Sequence, residues 1–260
     1  MQLLMIGDVM GKPARRALAA LLPELRQELA LDLVIANGEN AAAGRGLTEA
    51  TAQELFDAGV DLITSGNHIW DQKEIIAILG QEAPITRPLN YPPGTPGRGV
   101  LTQKGVTVIN LQGRTFMPDI DCPFRAADAA LADLPDDAIV VVDMHAEATS
   151  EKQAMGRYLD GRVAAVLGTH THTPTADARV LPGGTAYVSD VGMVGHTESI
   201  IGNDIDAVIR RFLTGLPTRL PVADGSPTVQ FNAVLVEIDE QTRRARAIQR
   251  LDREYRHDGV

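Results

Sequence analysis

Along the first third of the chain, continuous apolar runs alternate with stretches whose apolar residues recur every three or four positions. LLMIG (3–7) reads as a buried strand, and PARRALAALLPELRQELA (13–30) as an amphipathic helix. LDLVIANG (31–38) and VDLITSG (60–66) are further strands, followed by helical stretches at TEATAQELFDAG (48–59) and IWDQKEIIAILG (69–80). Short apolar runs without polar alternation predict parallel strands buried on both faces, joined by right-handed helical crossovers.

The segment 88–99, PLNYPPGTPGRG, breaks the rhythm as a loop too short for a domain linker. Beyond it VTVINLQG (106–113), AIVVVDMH (138–145) and VAAVLGTH (163–170) predict three more strands, with helices around 124–133 and 150–160. GTAYVSDVGMVG (184–195) reads as a strand entering a Gly-rich loop, and DIDAVIRRFLTG (204–215) as a late helix. FNAVLVEID (231–239) and RRARAIQRLD (243–252) suggest a closing antiparallel hairpin. The pattern predicts one α/β domain over residues 1–260, with mixed sheets inside and helices outside.

Composition narrows the chemistry. A formal net charge of −10 argues against a groove that tracks a long nucleic acid. A small anionic ligand stays compatible, because a bound metal can override the global field. Cys122 is the single cysteine, so a metal site here must use nitrogen and oxygen ligands. The N-terminus lacks a basic segment ahead of its apolar residues, and no run approaches the ~20 apolar residues of a membrane span. These features predict a cytoplasmic protein with no membrane partner.

The polar residues then fall in a telling place. The predicted strands end in Asp8, in Glu39 and Asn40, in Asn67 and His68, in His145, and in His170 with His172 two residues on. In open α/β sheets the ligand crevice lies beyond the carboxyl ends of the strands, so these side chains can share one rim. Each has a plainer reading. Asp8 could cap the next helix; Glu39 and Asn40 could sit in a Gly-rich turn or a phosphate loop, although the P-loop pattern is absent. Asn67 suits a turn, and His145 alone reads as a core histidine. Their coincidence at five strand ends favours a metal site.

Three histidines, two carboxylates and two carboxamides exceed the needs of one tetrahedral zinc. They suit two divalent metals that share a carboxylate, a pair able to generate hydroxide and clamp an in-line displacement at phosphorus. His68 directly follows a ligand-like Asn67, and adjacent residues seldom both reach a metal. His68 is therefore the candidate proton donor. His196 reads as a loop histidine near the rim, a candidate for the substrate pocket, and His257 as a surface residue.

GD after the first strand, GNH after the third, a later lone His and GTHTH resemble the calcineurin-like metallophosphoesterases. Met10 stands where that pattern has a second metal ligand, and GEN replaces its GD. No acid follows His68 directly; Asp71 is placed to orient it instead. These departures, with the long stretches IGDVMGKPARRAL, ANGENAAAGRGLT, SGNHIWD and GTHTHTPTAD, resemble the bacterial YmdB-like phosphodiesterases across nearly the whole chain.

The resemblance implies a four-layer sandwich of two mixed β-sheets flanked by helices. It implies a two-metal centre, with iron favoured and manganese or zinc as alternatives, that hydrolyses phosphodiesters including 2′,3′-cyclic nucleotides. A metal-bridging hydroxide would be the nucleophile. Asp8, Glu39, Asn40 and His172 would serve one metal, and Glu39, Asn67, His145 and His170 the other, with His68 as proton donor. Arg45 and Arg114 are candidate phosphate contacts, or solvated loop residues. A phosphomonoesterase acting on phosphoproteins, or a nucleotide-sensing regulator with little turnover, remain the rival readings. A homo-oligomer is compatible with all of them.

Overall fold

A computed structural model of the protein describes residues 1–256, so His257 lies outside the described residues. Two six-stranded sheets pack face to face between helices. The first sheet runs β12 (Arg244–Arg256), β11 (Thr228–Asp239), β10 (Met193–His196), β1 (Gln2–Val9), β2 (Leu33–Asn37), β3 (Leu62–Thr64). The second runs β4 (Val100–Gln103), β5 (Val106–Gln112), β6 (Ile139–His145), β7 (Ala165–Thr169), β9 (Ala186–Val188), β8 (Arg179–Val180).

Strand alternation sorts the core into three layers. From β1, Leu3 and Met5 join Val106, Val108, Val141 and Leu167 between the sheets. Leu4 and Ile6 take the opposite face, under Leu18 and Leu22 of α1 (Gly11–Glu28) and Leu55 of α2 (Glu49–Asp57). On the far side, Val140, Val142 and Val166 pack against Ala127 of α4 (Pro123–Ala132) and Met155 of α5 (Thr149–Tyr158). Thr48 opens α2 with a reciprocal capping box, which satisfies two otherwise orphaned groups at the helix start.

Strands β1, β2 and β3 pair in parallel, as do β5, β6 and β7. The loops after these strands meet at one rim. There the first sheet forks. β1 pairs with β11 through residues 2–6 and then with β10 at Asp8 and Val9. At the fork a Cβ on Gly7 would lie 2.0 Å from the Gly192 carbonyl oxygen, so only glycine permits the approach.

Several elements differ from the sequence reading. Residues 193–196, expected as Gly-rich loop, form β10, because they pair with both β1 and β11, and Gly195 there leaves room for the side chains of Met10 and Met193. His196 is consequently a buried strand residue with Nδ1 3.4 Å from the Thr228 carbonyl, and not a loop histidine. The helix expected at 69–80 shortens to α3 (Ile75–Leu79). Ile69 N donates to Gly66 O and Asp71 N to His68 O, so residues 66–71 turn tightly instead of continuing the helix. Strands β4 and β8 lie outside the elements that the hydrophobic pattern predicts, and the closing hairpin extends beyond its predicted bounds.

Lys152 on α5 is 2% exposed, and its Nζ donates to Asp190 Oδ2 at 2.7 Å. Removing one partner of such a buried pair strands the other's charge. Lys152→Met is therefore expected to lower the unfolding free energy by about 3–5 kcal/mol, measured by urea denaturation. A loss well under 1 kcal/mol would mean that Asp190 does not depend on the ammonium.

Candidate metal centre

Each strand end delivers its polar side chain to the seam between the sheets. Asp8 closes β1, Glu39 and Asn40 follow β2, and Asn67 and His68 follow β3. His145 closes β6, and His170 and His172 follow β7. Glu39, His145 and His170 gather their ligand atoms within 4.8 Å of one another, and so do Asp8, Glu39 and His172. Glu39 belongs to both groups. Its Oε2 lies 3.2 Å from His145 Nε2, while its Oε1 accepts from Asn40 Nδ2 at 3.2 Å.

The histidine rings are oriented from behind. Thr169 Oγ1 donates to Asp143 Oδ1 at 2.7 Å, which leaves its lone pairs to accept from His145 Nδ1 at 2.9 Å. His172 Nδ1 donates to the Ile201 carbonyl at 2.9 Å, and His170 Nε2 lies 3.1 Å from the Glu147 carboxylate. Every imidazole thus commits one nitrogen outward and turns the other inward, the arrangement that fixes histidines as metal ligands.

Around His145 Nε2 three acceptors converge: Glu39 Oε2, Asn67 Oδ1 at 3.1 Å and His170 Nδ1 at 3.0 Å. In the second group Asp8 Oδ1 is buried without a hydrogen-bond partner, 3.7 Å from His172 Nε2. His172 Nε2 in turn faces Asn40 Nδ2 at 3.1 Å. In the first group acceptors aim at one another, and in the second, one acceptor is buried and unpaired; both fit cations. Asn40, which here donates its Nδ2 to Glu39 and His172, would join as a ligand through Oδ1 once its amide turns over.

Titration follows the same logic. Burial pushes the Asp8 carboxyl up to about 7, against the pull of His172 and His145. Burial alone would raise Glu39 too, but His145 outweighs it and holds Glu39 well below the usual carboxylate range. Burial would lower His145, yet Glu39 carries it up to about 9, while burial and His145 push His170 down to about 3. In the metal-free chain His145 therefore holds a proton where a cation would sit.

His68 contributes twice. Its backbone N–H donates to Glu39 Oε2 at 3.1 Å, and its ring Nδ1 lies 2.9 Å from Asp71 Oδ2. A cleft of about 290 Å³ opens over the cluster, lined by Glu39, Asn40, His68, His170 and His172, with Arg45 at its exposed edge. Arg114 does not line it; that exposed guanidinium sits 3.5 Å from Cys122 Sγ. His196 does not line it either.

The YmdB-like family model matches residues 4–251. The chain belongs to that family. It is 47% identical to the 2′,3′-cyclic-nucleotide 2′-phosphodiesterase of Bacillus subtilis, over 96% of both chains. The crystal structure of a hypothetical protein from Thermus thermophilus superimposes with TM-score 0.91 at 49% identity, covering 98% of this chain and 99% of that one. A Mycoplasma pneumoniae phosphatase superimposes with TM-score 0.92 at 34% identity, covering 99% of this chain and 95% of that one. The two-sheet sandwich of this YmdB-like chain is the metallophosphoesterase fold.

Sequence reasoning missed the supporting residues Asn37, Asp143, Thr169 and Asp190, and the cleft residues Glu147, Ile201, Asn203 and Leu220, whereas Met10, singled out from the motif, does line the cleft. Asp143 did carry a signal, since a carboxylate inside the apolar run VVVDMH must find partners. Ile201, Asn203 and Leu220 carried none, because their relation to the site exists only in three dimensions.

Two outcomes follow for this YmdB-like protein. A Cβ on Gly66 would lie 2.1 Å from His145 Cδ2 and 2.5 Å from Glu39 Oε2. Gly66→Ala should lower metal affinity about 10–100-fold, the range seen when groups supporting ligands are disturbed, measured by competition with a chelating dye. Unchanged affinity would show that the ligand cage yields freely. Secondly, His145 titrates near 9 folded against an ordinary 6.5. Its proton stabilises the fold fully below pH 6.5, and that contribution vanishes as pH rises through 9. The Tm of chelator-treated protein should fall across this window, and Mn²⁺ should abolish the fall by replacing the proton. A metal-free Tm that rises instead would contradict the His145–Glu39 pairing.

Proposed function

We propose that the protein is a two-metal phosphodiesterase acting on small phosphodiesters such as 2′,3′-cyclic nucleotides. The observation that carries the reading is Glu39, a single buried carboxylate shared by two clusters of inward-turned acceptors. Asp8, Glu39, Asn40 and His172 would hold one cation, and Glu39, Asn67, His145 and His170 the other. Imidazole and carboxylate donors accept iron, manganese or zinc; iron is the metal we favour. When bound, two such cations supply an activated water and neutralise charge on the phosphoryl oxygens.

The chain's own residues do the rest. Asp71 occupies His68 Nδ1, leaving Nε2 as the ring nitrogen that can pass a proton to the departing sugar oxygen. Arg45, at the edge of the cleft, is placed to meet an anionic phosphate. The cleft, about 290 Å³, suits one small ligand and not a polymer strand. The 47% identity to a 2′,3′-cyclic-nucleotide phosphodiesterase supports this substrate class. We treat residues 1–260 as one domain, because the site draws on strands from residue 2 to residue 169 in both sheets.

The test is hydrolysis of 2′,3′-cyclic AMP by protein loaded separately with Fe²⁺ and Mn²⁺, with p-nitrophenyl phosphate as the monoester control. Turnover of the diester that disappears on chelation supports the reading; preferential turnover of the monoester overturns the substrate assignment. His68→Ala should reduce kcat by about 10²–10⁴-fold, the range for losing a general acid, with metal content unchanged by elemental analysis. Full activity in that variant would remove His68 from the mechanism.

A further inference from the structure

The helix α6 (Ile205–Thr214) is built inside out. Its one buried residue is Val208, while Phe212 is 83% and Leu213 81% exposed, with Leu216 beyond the helix at 64%. Ile205 and Ile209 are exposed on the same face, since positions 205, 209, 212 and 213 recur at helical spacing. An isolated ten-residue helix is marginal in water, and one buried side chain supplies little packing to hold it. Other exposed apolar side chains, such as Phe116 and Ile76, are scattered along the chain, whereas these lie on one helix face, and a contiguous apolar stripe of this kind marks an interaction site.

We propose that this stripe is a homodimer interface, in which α6 packs antiparallel against α6 of a second copy about a two-fold axis. The charges beside the stripe select that occupant. Asp206 and Arg210 are exposed, one turn apart, along the same flank of the apolar face. In an antiparallel helix pair like flanks meet, so a two-fold axis sets Asp206 of each copy against Arg210 of the other. The opposed helix dipoles add to the match. A membrane surface is the weaker occupant, because a chain of net charge −10 is repelled by anionic lipid.

The helix face alone falls short of the ~800 Å² per partner that a stable interface buries. The contact must therefore continue through the exposed segments at both ends. Ile201, 48% exposed, lies before the helix, and Leu216 and Arg219 follow it. Ile201 and Leu220 also line the cleft over the metal cluster. The second copy thus abuts the mouth of the site, and Ile201 joins the two surfaces: its carbonyl accepts from His172 Nδ1.

Sedimentation velocity of the full chain over a concentration series tests the proposal. The wild type should sediment as a dimer or an even multiple, and Phe212→Glu with Leu213→Glu should halve the mass. Circular dichroism should lose at most the signal of the ten-residue α6, and the urea midpoint should show the two-sheet core still folded, because neither side chain belongs to that core. Asp206→Arg and Arg210→Asp should each weaken association at least tenfold, and the two together should restore it. A wild-type monomer at all concentrations overturns the proposal, whether or not it binds phosphatidylglycerol vesicles. So does an oligomer indifferent to the α6 substitutions, and failure of the double charge reversal to restore association overturns the antiparallel pairing.

Discussion

Four carboxylates, those of Asp8, Glu39, Asp143 and Asp190, lie at 1% exposure or less near the seam of two sheets, and the rest of the site is organised around making them tolerable. Burying an ionised carboxylate without compensation is prohibitive. Each of the four meets that demand differently. Asp190 takes the Lys152 ammonium and the Thr171 hydroxyl. Asp143 collects hydrogen bonds from Asn37 and Thr169. Glu39 leans on His145. Asp8 keeps one oxygen without a hydrogen bond. The two whose needs are met by fixed partners support the loops; Glu39, which leans on an imidazole, lines the cleft, and Asp8, held on its other oxygen by the His170 N–H, joins Glu39 and His172 in the buried cluster.

That division explains the conformation of the THTH segment. His170 and His172 have φ of +99° and +63°, in the left-handed region that non-glycine residues avoid at a cost of about 1–3 kcal/mol each. Thr171 between them ties the loop down: its N–H and hydroxyl both donate to Asp190 Oδ2. The strained backbone lets alternate residues of a short loop turn their rings toward two different clusters, so buried charge beneath the loop underwrites the geometry above it.

The sequence announced the strand–helix alternation and the positions where donors leave the strands, because both are local: periodicity is written in neighbouring residues, and Asp8, Glu39, Asn67, His145 and His170 each sit at the end of an apolar run. It was least legible where glycine does two jobs. In GMVG the glycines signal a loop, yet they admit a strand that wedges between β1 and β11. In GNHIWD a helical apolar spacing was overridden by the turn that brings His68 N–H to Glu39. Cleft walls such as Asn203 and Leu220 come from segments remote from the motifs that carry the candidate ligands, and no local pattern connects them.

Gly7 and Gly66 are both irreplaceable for reasons of space, but the obstacles differ in kind. Beside Gly7 stands main chain, the Gly192 carbonyl; beside Gly66 stand the side chains of His145 and Glu39. No substitution elsewhere can shrink a carbonyl, whereas imidazole and carboxylate can be exchanged for something smaller once chemistry is no longer demanded of them. The two positions consequently answer to different masters over evolutionary time. A descendant that kept this architecture and abandoned the reaction would be free to drift at Gly66 while remaining glycine at position 7, which makes the pair a record, readable in any such lineage, of whether the fold or the catalyst was retained.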